Sequence, residues 1–134
     1  MEKRISKIIL KSFLLLIIVF LCFISCKTKN IKYPEYTVRD NTGLGYIELV
    51  YEGITYRPYG ILTLGSRFNK YLSKQIGIRE DNYNNKIYEL IGYDSREWIV
   101  DYHDVFMGIS LLLKSIDVIY IPKELERYKA YDYK

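Results

Sequence analysis

Tyr46-Ile47-Glu48-Leu49-Val50-Tyr51-Glu52-Gly53-Ile54-Thr55-Tyr56 is the stretch on which the fold of this chain turns. Ile47, Leu49 and Tyr51 fall on one face of an extended chain, with Tyr46, Glu48 and Glu52 on the other. That is the two-residue period of a half-buried strand. Gly53 interrupts it, and Ile54, Tyr56, Leu62 and Leu64 give one or two returning strands, so a hairpin around Glu52-Gly53 is expected. Pro58 cannot donate a ladder hydrogen bond, which makes its segment an edge or a bulged strand.

The same pattern continues toward the C-terminus. Trp98 to Tyr102 is a strand with Trp98, Val100 and Tyr102 on one face, and Lys86 to Gly92 is β-like with apolar residues on both faces. Gln75 to Ile78 starts a further strand and Val118 to Ile121 is the last. Asp81 to Asn85 and Asp94 to Arg96 are turns by composition, because Asn and Asp tolerate left-handed backbone and bond their own chain. Ser66 to Lys74 is the best helix candidate, with Ser66 as cap and Phe68, Tyr71 and Leu72 on one face. Ile109 to Leu113 is a strand or a helical turn, which a short apolar run leaves open. Pro122 to Arg127 starts a terminal helical turn. Strands this short, with turns this regular, predict a mainly β fold, a small barrel or roll of about five to seven short strands with one or two short helices. An α+β arrangement is the alternative.

The N-terminus is different in kind. Lys3, Arg4, Lys7 and Lys11 precede 14 uncharged residues, Ser12 to Ser25, which end in Phe23-Ile24-Ser25-Cys26. A bilayer span needs about 20 apolar residues and a signal h-region about 7 to 15. The length therefore favours a cleaved signal. A single uncleaved N-terminal anchor is the alternative, reached if Lys11 snorkels to the interface.

Basic region, short apolar region, small residue and cysteine, in that order, resemble the lipobox signal of bacterial lipoproteins, with Phe23 where Leu is usual. The resemblance implies a diacylglyceryl thioether on Cys26, cleavage between Ser25 and Cys26, and lipid anchoring on the extracytoplasmic face of the cell membrane. It divides the chain into a signal peptide, 1–25, a lipid-anchored tether, 26–40, and a single β-rich domain, 41–134. The stretch from Lys74 through Ile87-Tyr88-Glu89-Leu90 to Trp98-Ile99-Val100 is similar to small exported proteins of low-GC Gram-positive bacteria, a resemblance that carries no assigned activity.

Charge and cysteine content narrow the function. Of 20 basic and 16 acidic residues, the first 25 hold four basic and one acidic, which leaves 16 against 15. Nucleic-acid binding needs a basic patch to displace counterions, and none is evident. Cys22 falls in the signal and Cys26 takes the lipid, so no disulfide, Cys-based metal site or Cys nucleophile is expected in the remainder. Gly43-Leu44-Gly45 is too short for a phosphate cradle, Asp81 to Asn85 lacks the Gly and distal Glu of a calcium loop, and no cofactor motif is present.

His103 is the single histidine, flanked as Asp101-Tyr102-His103-Asp104. On a strand Asp101 and His103 share a face, where they could orient an imidazole or hold a metal. Spacing indicates no third ligand, and the plain reading is a polar, solvent-facing strand end. Ser66, Ser73, Ser95, Ser110 and Ser115 are available to such a histidine, but none stands in a nucleophile elbow. All 15 tyrosines follow residue 25. They suit strands as well as interfaces, and Tyr128, Tyr131 and Tyr133 are the ones a core explains least.

Two functions from different classes follow. The first is an envelope binding or interaction module, with a protein, peptide or glycan partner met by an exposed aromatic patch. The alternative is an envelope hydrolase or metal-dependent enzyme using His103 with Asp101 or Asp104.

Overall fold

The computed structural model describes residues 2–25, 30–41, 43, 45–103 and 109–132. It separates into two compact units, residues 1–32 and 33–134. The first contains one helix, α1 (Glu2–Ser25), whose apolar side chains from Ile5 to Phe20 are exposed. Among the described residues no helix is long and apolar enough to cross a membrane. The uncharged part of α1 would reach about 21 Å at 1.5 Å per residue, against a hydrocarbon core of about 30 Å.

The second unit is a closed seven-stranded barrel. Its strands are β1 (Glu35–Asn41), β2 (Tyr46–Tyr51), β3 (Ile54–Thr63), β4 (Leu72–Arg79), β5 (Lys86–Leu90), β6 (Trp98–Tyr102) and β7 (Ile109–Ser115). They run in the order β1-β2-β3-β7-β6-β5-β4, and a short parallel pairing of β1 with β4 closes the ring. The expected β-rich barrel is present. Among the described residues, 33–134 hold every strand and both apolar cores.

The hairpin is where the sequence puts it. Glu52 and Gly53 both have positive φ, 48° and 77°, the requirement of a type I′ turn whose twist matches its strands. Tyr51 therefore faces Ile54 and Leu49 faces Tyr56. Beyond them β3 is one long strand that shifts register between Pro58 and Gly60 as it pairs with β7, the bulge that Pro58 announces. β1 draws residues 35–41 into the sheet, so the barrel begins within the stretch expected to serve as tether.

Cross-strand partners share a face. Leu49, Tyr56, Ile87, Ile99 and Leu113 therefore line one continuous surface, and with Tyr36 they fill the barrel. The opposite face of β3, β5, β6 and β7 carries a second core. Tyr59, Leu62, Trp98, Val100 and Leu112 pack there under α2 (Phe68–Tyr71), α3 (Lys123–Glu126) and the C-terminal segment. Trp98 is fully buried, with the Tyr59 ring edge-on at 5.2 Å.

Three expectations are corrected. The helix over Ser66–Lys74 is a 3-10 turn, Gly65–Arg67, followed by four residues of α2, because Leu72 is drawn into β4 opposite Leu90. Val118 to Ile121 is not a strand: Val118 and Ile121 cover the outer core while Ile119 and Tyr120 face solvent. Tyr128 and Tyr131 are docked. The Tyr128 carbonyl accepts from Ile61 N–H at 3.2 Å, and Ala130 and Tyr131 N–H donate to the Tyr59 carbonyl at 3.0 and 3.2 Å. Tyr133 lies outside the described residues.

Candidate functional site

Asp101 near the end of β6 and His103 just beyond it come together, as their spacing suggests. The face that Asp101 occupies is the barrel interior, since it pairs with Ile87 and Leu111. Asp101 is completely buried and His103 is about one-third exposed at the barrel end. The solvent-facing reading of this strand end is thereby corrected. Closure of the sheet turns the polar side inward.

The decisive neighbour is Arg79, at the end of β4. Its Nη1 donates to Asp101 Oδ2 at 3.0 Å, while Nε and Nη2 hold Asp81 in a bidentate pair at 2.8 and 2.5 Å. Burial opposes the Arg79 charge, but hydrogen bonds to Asp81 and the Asp101 carboxylate outweigh it and hold the guanidinium above its usual value. The same contact holds the Asp81 carboxyl below its ordinary range. His103 Nε2 stands 3.2 Å from Asp101 Oδ2, within ion-pair reach but outside hydrogen-bond geometry. Asp101 Oδ1 finds no partner among the described residues.

Chemically this is a buried ion pair with a histidine at its edge. Neither buried serine stands beside Asp101 on its face. Ser110 is buried with an unpartnered Oγ, but it pairs with Tyr102 and Leu62 and so shares the outer face. Ser115 lies on the inner face beside Tyr56, two pleats from Asp101 along the ladder. A metal is poorly served, because the Arg79 guanidinium stands against Asp101 Oδ2 and repels a second cation. Among the described residues no group of three His, Cys, Asp or Glu side chains converges. Asp104 and Cys26 lie outside the described residues.

The calcium-like stretch is a turn, with Asn82 Oδ1 accepting from Asn84 N–H at 3.1 Å. Among the described residues the tyrosines form no broad exposed patch. Tyr36, Tyr46, Tyr56 and Tyr59 are buried, Tyr36 stacks on Tyr51 at 4.6 Å, and Phe68 meets Tyr88 and Tyr102 edge-on at 5.1 Å. Tyr83 and Tyr120 are the prominent exposed ones.

A second charged group lies on the outer face of β1, β2, β3 and β7 and has no signature in the sequence. Glu48, 3% exposed, accepts from Arg57 Nε at 2.6 Å and lies 3.8 Å from Arg39. Lys114 stands directly opposite Arg57 in the β3–β7 ladder. Burial pushes the Lys114 ammonium below its usual value, Arg57 adds to this and Asp117 offsets part of it. Its Nζ donates to the carbonyls of Val118 at 2.6 Å and Ser115 at 3.2 Å.

No family model, curated protein or solved structure matches this chain.

Proposed function

We propose that this is a lipid-anchored cell-envelope protein whose residues 26–134 act as a binding module at the extracytoplasmic face of the membrane. The observation that carries the reading is the order of parts. A basic start leads into an apolar helix whose uncharged part is short of a bilayer, then to Ser25-Cys26, then to a separately compact barrel. Two acyl chains on Cys26 would hold the protein firmly, since each buried methylene contributes about 0.8 kcal/mol.

The binding-module reading is supported over the hydrolase by the geometry around Asp101. His103 Nε2 makes no hydrogen bond to it, and Ser115 on the inner face is two pleats away. The approach of His103 to Asp101 favours the enzyme alternative, and His103→Ala tests it: loss of an envelope hydrolytic activity with unfolding unchanged would support that alternative.

The deciding experiment is the intact mass of the protein extracted from its native membranes. A chain lacking residues 1–25 and increased by a diacylglyceryl group, with neither change in Cys26→Ala, is the expected result. A full-length unmodified mass would make α1 a retained anchor and overturn the reading.

A further inference from the structure

The segment after β7 protrudes from the barrel. Ile119 is 94% exposed and Tyr120 78%, the two most exposed large apolar residues of the chain among those described, and they are adjacent. Core packing does not explain them, because Val118 and Ile121 on either side already cover the outer core. They line one side of a cavity of about 490 Å³ that reaches the buried Trp98 at its base and carries the exposed Arg96, Glu97 and Asp117 at its rim. Small-molecule sites have volumes of about 300–1,000 Å³.

The rim offers both signs of charge. Among the described residues none of Arg96, Glu97 and Asp117 is held in a salt bridge. Two further charges stand close by. Asp117 acts through space on the Lys114 ammonium, and Asp94 accepts the Arg96 backbone N–H at 2.8 Å. Two cations and three acids around one opening select no strongly charged ligand. What they offer is donors and acceptors side by side, next to an aromatic ring.

We propose that this cavity binds a neutral sugar unit of an oligosaccharide, with one face of the sugar on Tyr120 and Ile119 and its hydroxyls on Arg96, Glu97 and Asp117. A pyranose has a C–H-rich face that packs on an aromatic ring. Each of its hydroxyls both donates and accepts, which is what a guanidinium beside carboxylates requires. Other occupants fit less well. A peptide added as a strand needs a free sheet edge, and this barrel is closed. Anionic headgroups of a bilayer would be repelled by the carboxylates beside the apolar pair. The inference rests on the binding-module reading above and deepens it by naming the class of ligand.

The test is calorimetric titration of the full chain, held in an amine-oxide detergent that carries no sugar, with cellobiose, lactose, mannobiose and N,N′-diacetylchitobiose. Saturable binding of at least one, at millimolar affinity or better and little changed by salt, is expected. The fluorescence of Trp98 should move with it, since that residue lines the cavity. Tyr120→Ser should weaken binding about tenfold. Tyr83→Ser removes another exposed tyrosine, in the turn at the far end of β6, and should leave binding unchanged. Both positions are exposed, so the thermal midpoint should stay at the parental value. Absence of binding by all these sugars, or equal binding by Tyr120→Ser, would overturn the proposal. Binding of pentalysine or inorganic phosphate without any sugar would also overturn it, and would assign the cavity to an ion. The mass of the native protein reports the anchor alone, so either reading can fail without the other.

Discussion

Arg79 and Asp101 form an ion pair inside the barrel at 3.0 Å, the guanidinium side chain 9% exposed and the carboxylate 1%. Breaking such a pair from one side leaves an uncompensated buried charge, at a cost of about 3–5 kcal/mol. Arg79→Met should therefore lower the urea midpoint sharply, read by the fluorescence of Trp98, the chain's single tryptophan. Arg79→Met combined with Asp101→Leu should recover most of the loss, since an apolar pair of similar volume replaces the charges. His103→Ala should cost under about 1 kcal/mol, because its partly exposed imidazole adds little. A parental midpoint for Arg79→Met would refute this account of the pair.

The barrel should also be sensitive to alkali. Burial pushes the Tyr56 phenol up to about 12, and its hydroxyl donates to the Ser95 carbonyl at 2.8 Å. A pKa raised in the folded state adds stability that is complete below the unfolded value near 10 and is lost as pH climbs from about 10 to 12. Tyr36, in the same core, is shifted in the same direction by burial and by Tyr56. Denaturation followed from pH 9 to 12 should show stability falling across that window. Tyr56→Phe should flatten the slope while costing about 1 kcal/mol at neutral pH. An unchanged slope in that variant would show that Tyr56 does not titrate with unfolding.

Gly60 tests the docking of the C-terminal segment. A Cβ at this position would run into the Tyr128 carbonyl oxygen, so Gly60→Ala must displace backbone, at about 1–3 kcal/mol. The loss should be local at first. Hydrogen exchange should quicken at the Ile61, Ala130 and Tyr131 amides, which bond across this contact, before it does at β6. Uniform acceleration across the sheet would mean that the segment and the barrel unfold as one.

The sequence announces these features unequally, for physical reasons. Strand β6 and the Glu52-Gly53 turn were legible because alternation and left-handed backbone are local requirements. The Asp101–His103 proximity was legible for the same reason, being two residues apart on one strand. Arg79 was not, since its closeness to Asp101 depends on a ring closed by β1 and β4. The fate of Val118 to Ile121 was also hidden: an apolar run satisfies a strand pattern, yet nothing in it says whether an edge is left to pair with. Closure leaves none here. The strand tyrosines Tyr36, Tyr51, Tyr56, Tyr59, Tyr88 and Tyr102 followed their strand preference into the two cores.

Glu48 offers the last test, because its carboxylate sits against the like charges of this face. Arg57 and Lys114 face each other across β3 and β7, and the Glu48 carboxylate is the group that Arg57 reaches at 2.6 Å. Glu48→Gln keeps the volume and removes the charge, leaving Arg39, Arg57 and Lys114 on one face with their repulsion less compensated. The expected loss is about 1–2 kcal/mol, within the ordinary range for removing a charged hydrogen-bond partner. Its salt dependence carries the diagnosis. Added salt screens the exposed repulsion, so the variant should regain stability between low and high sodium chloride while the parent changes little. Urea midpoints measured along that series check it, and a deficit that stayed constant with salt would point to lost hydrogen bonding at Glu48 in place of charge.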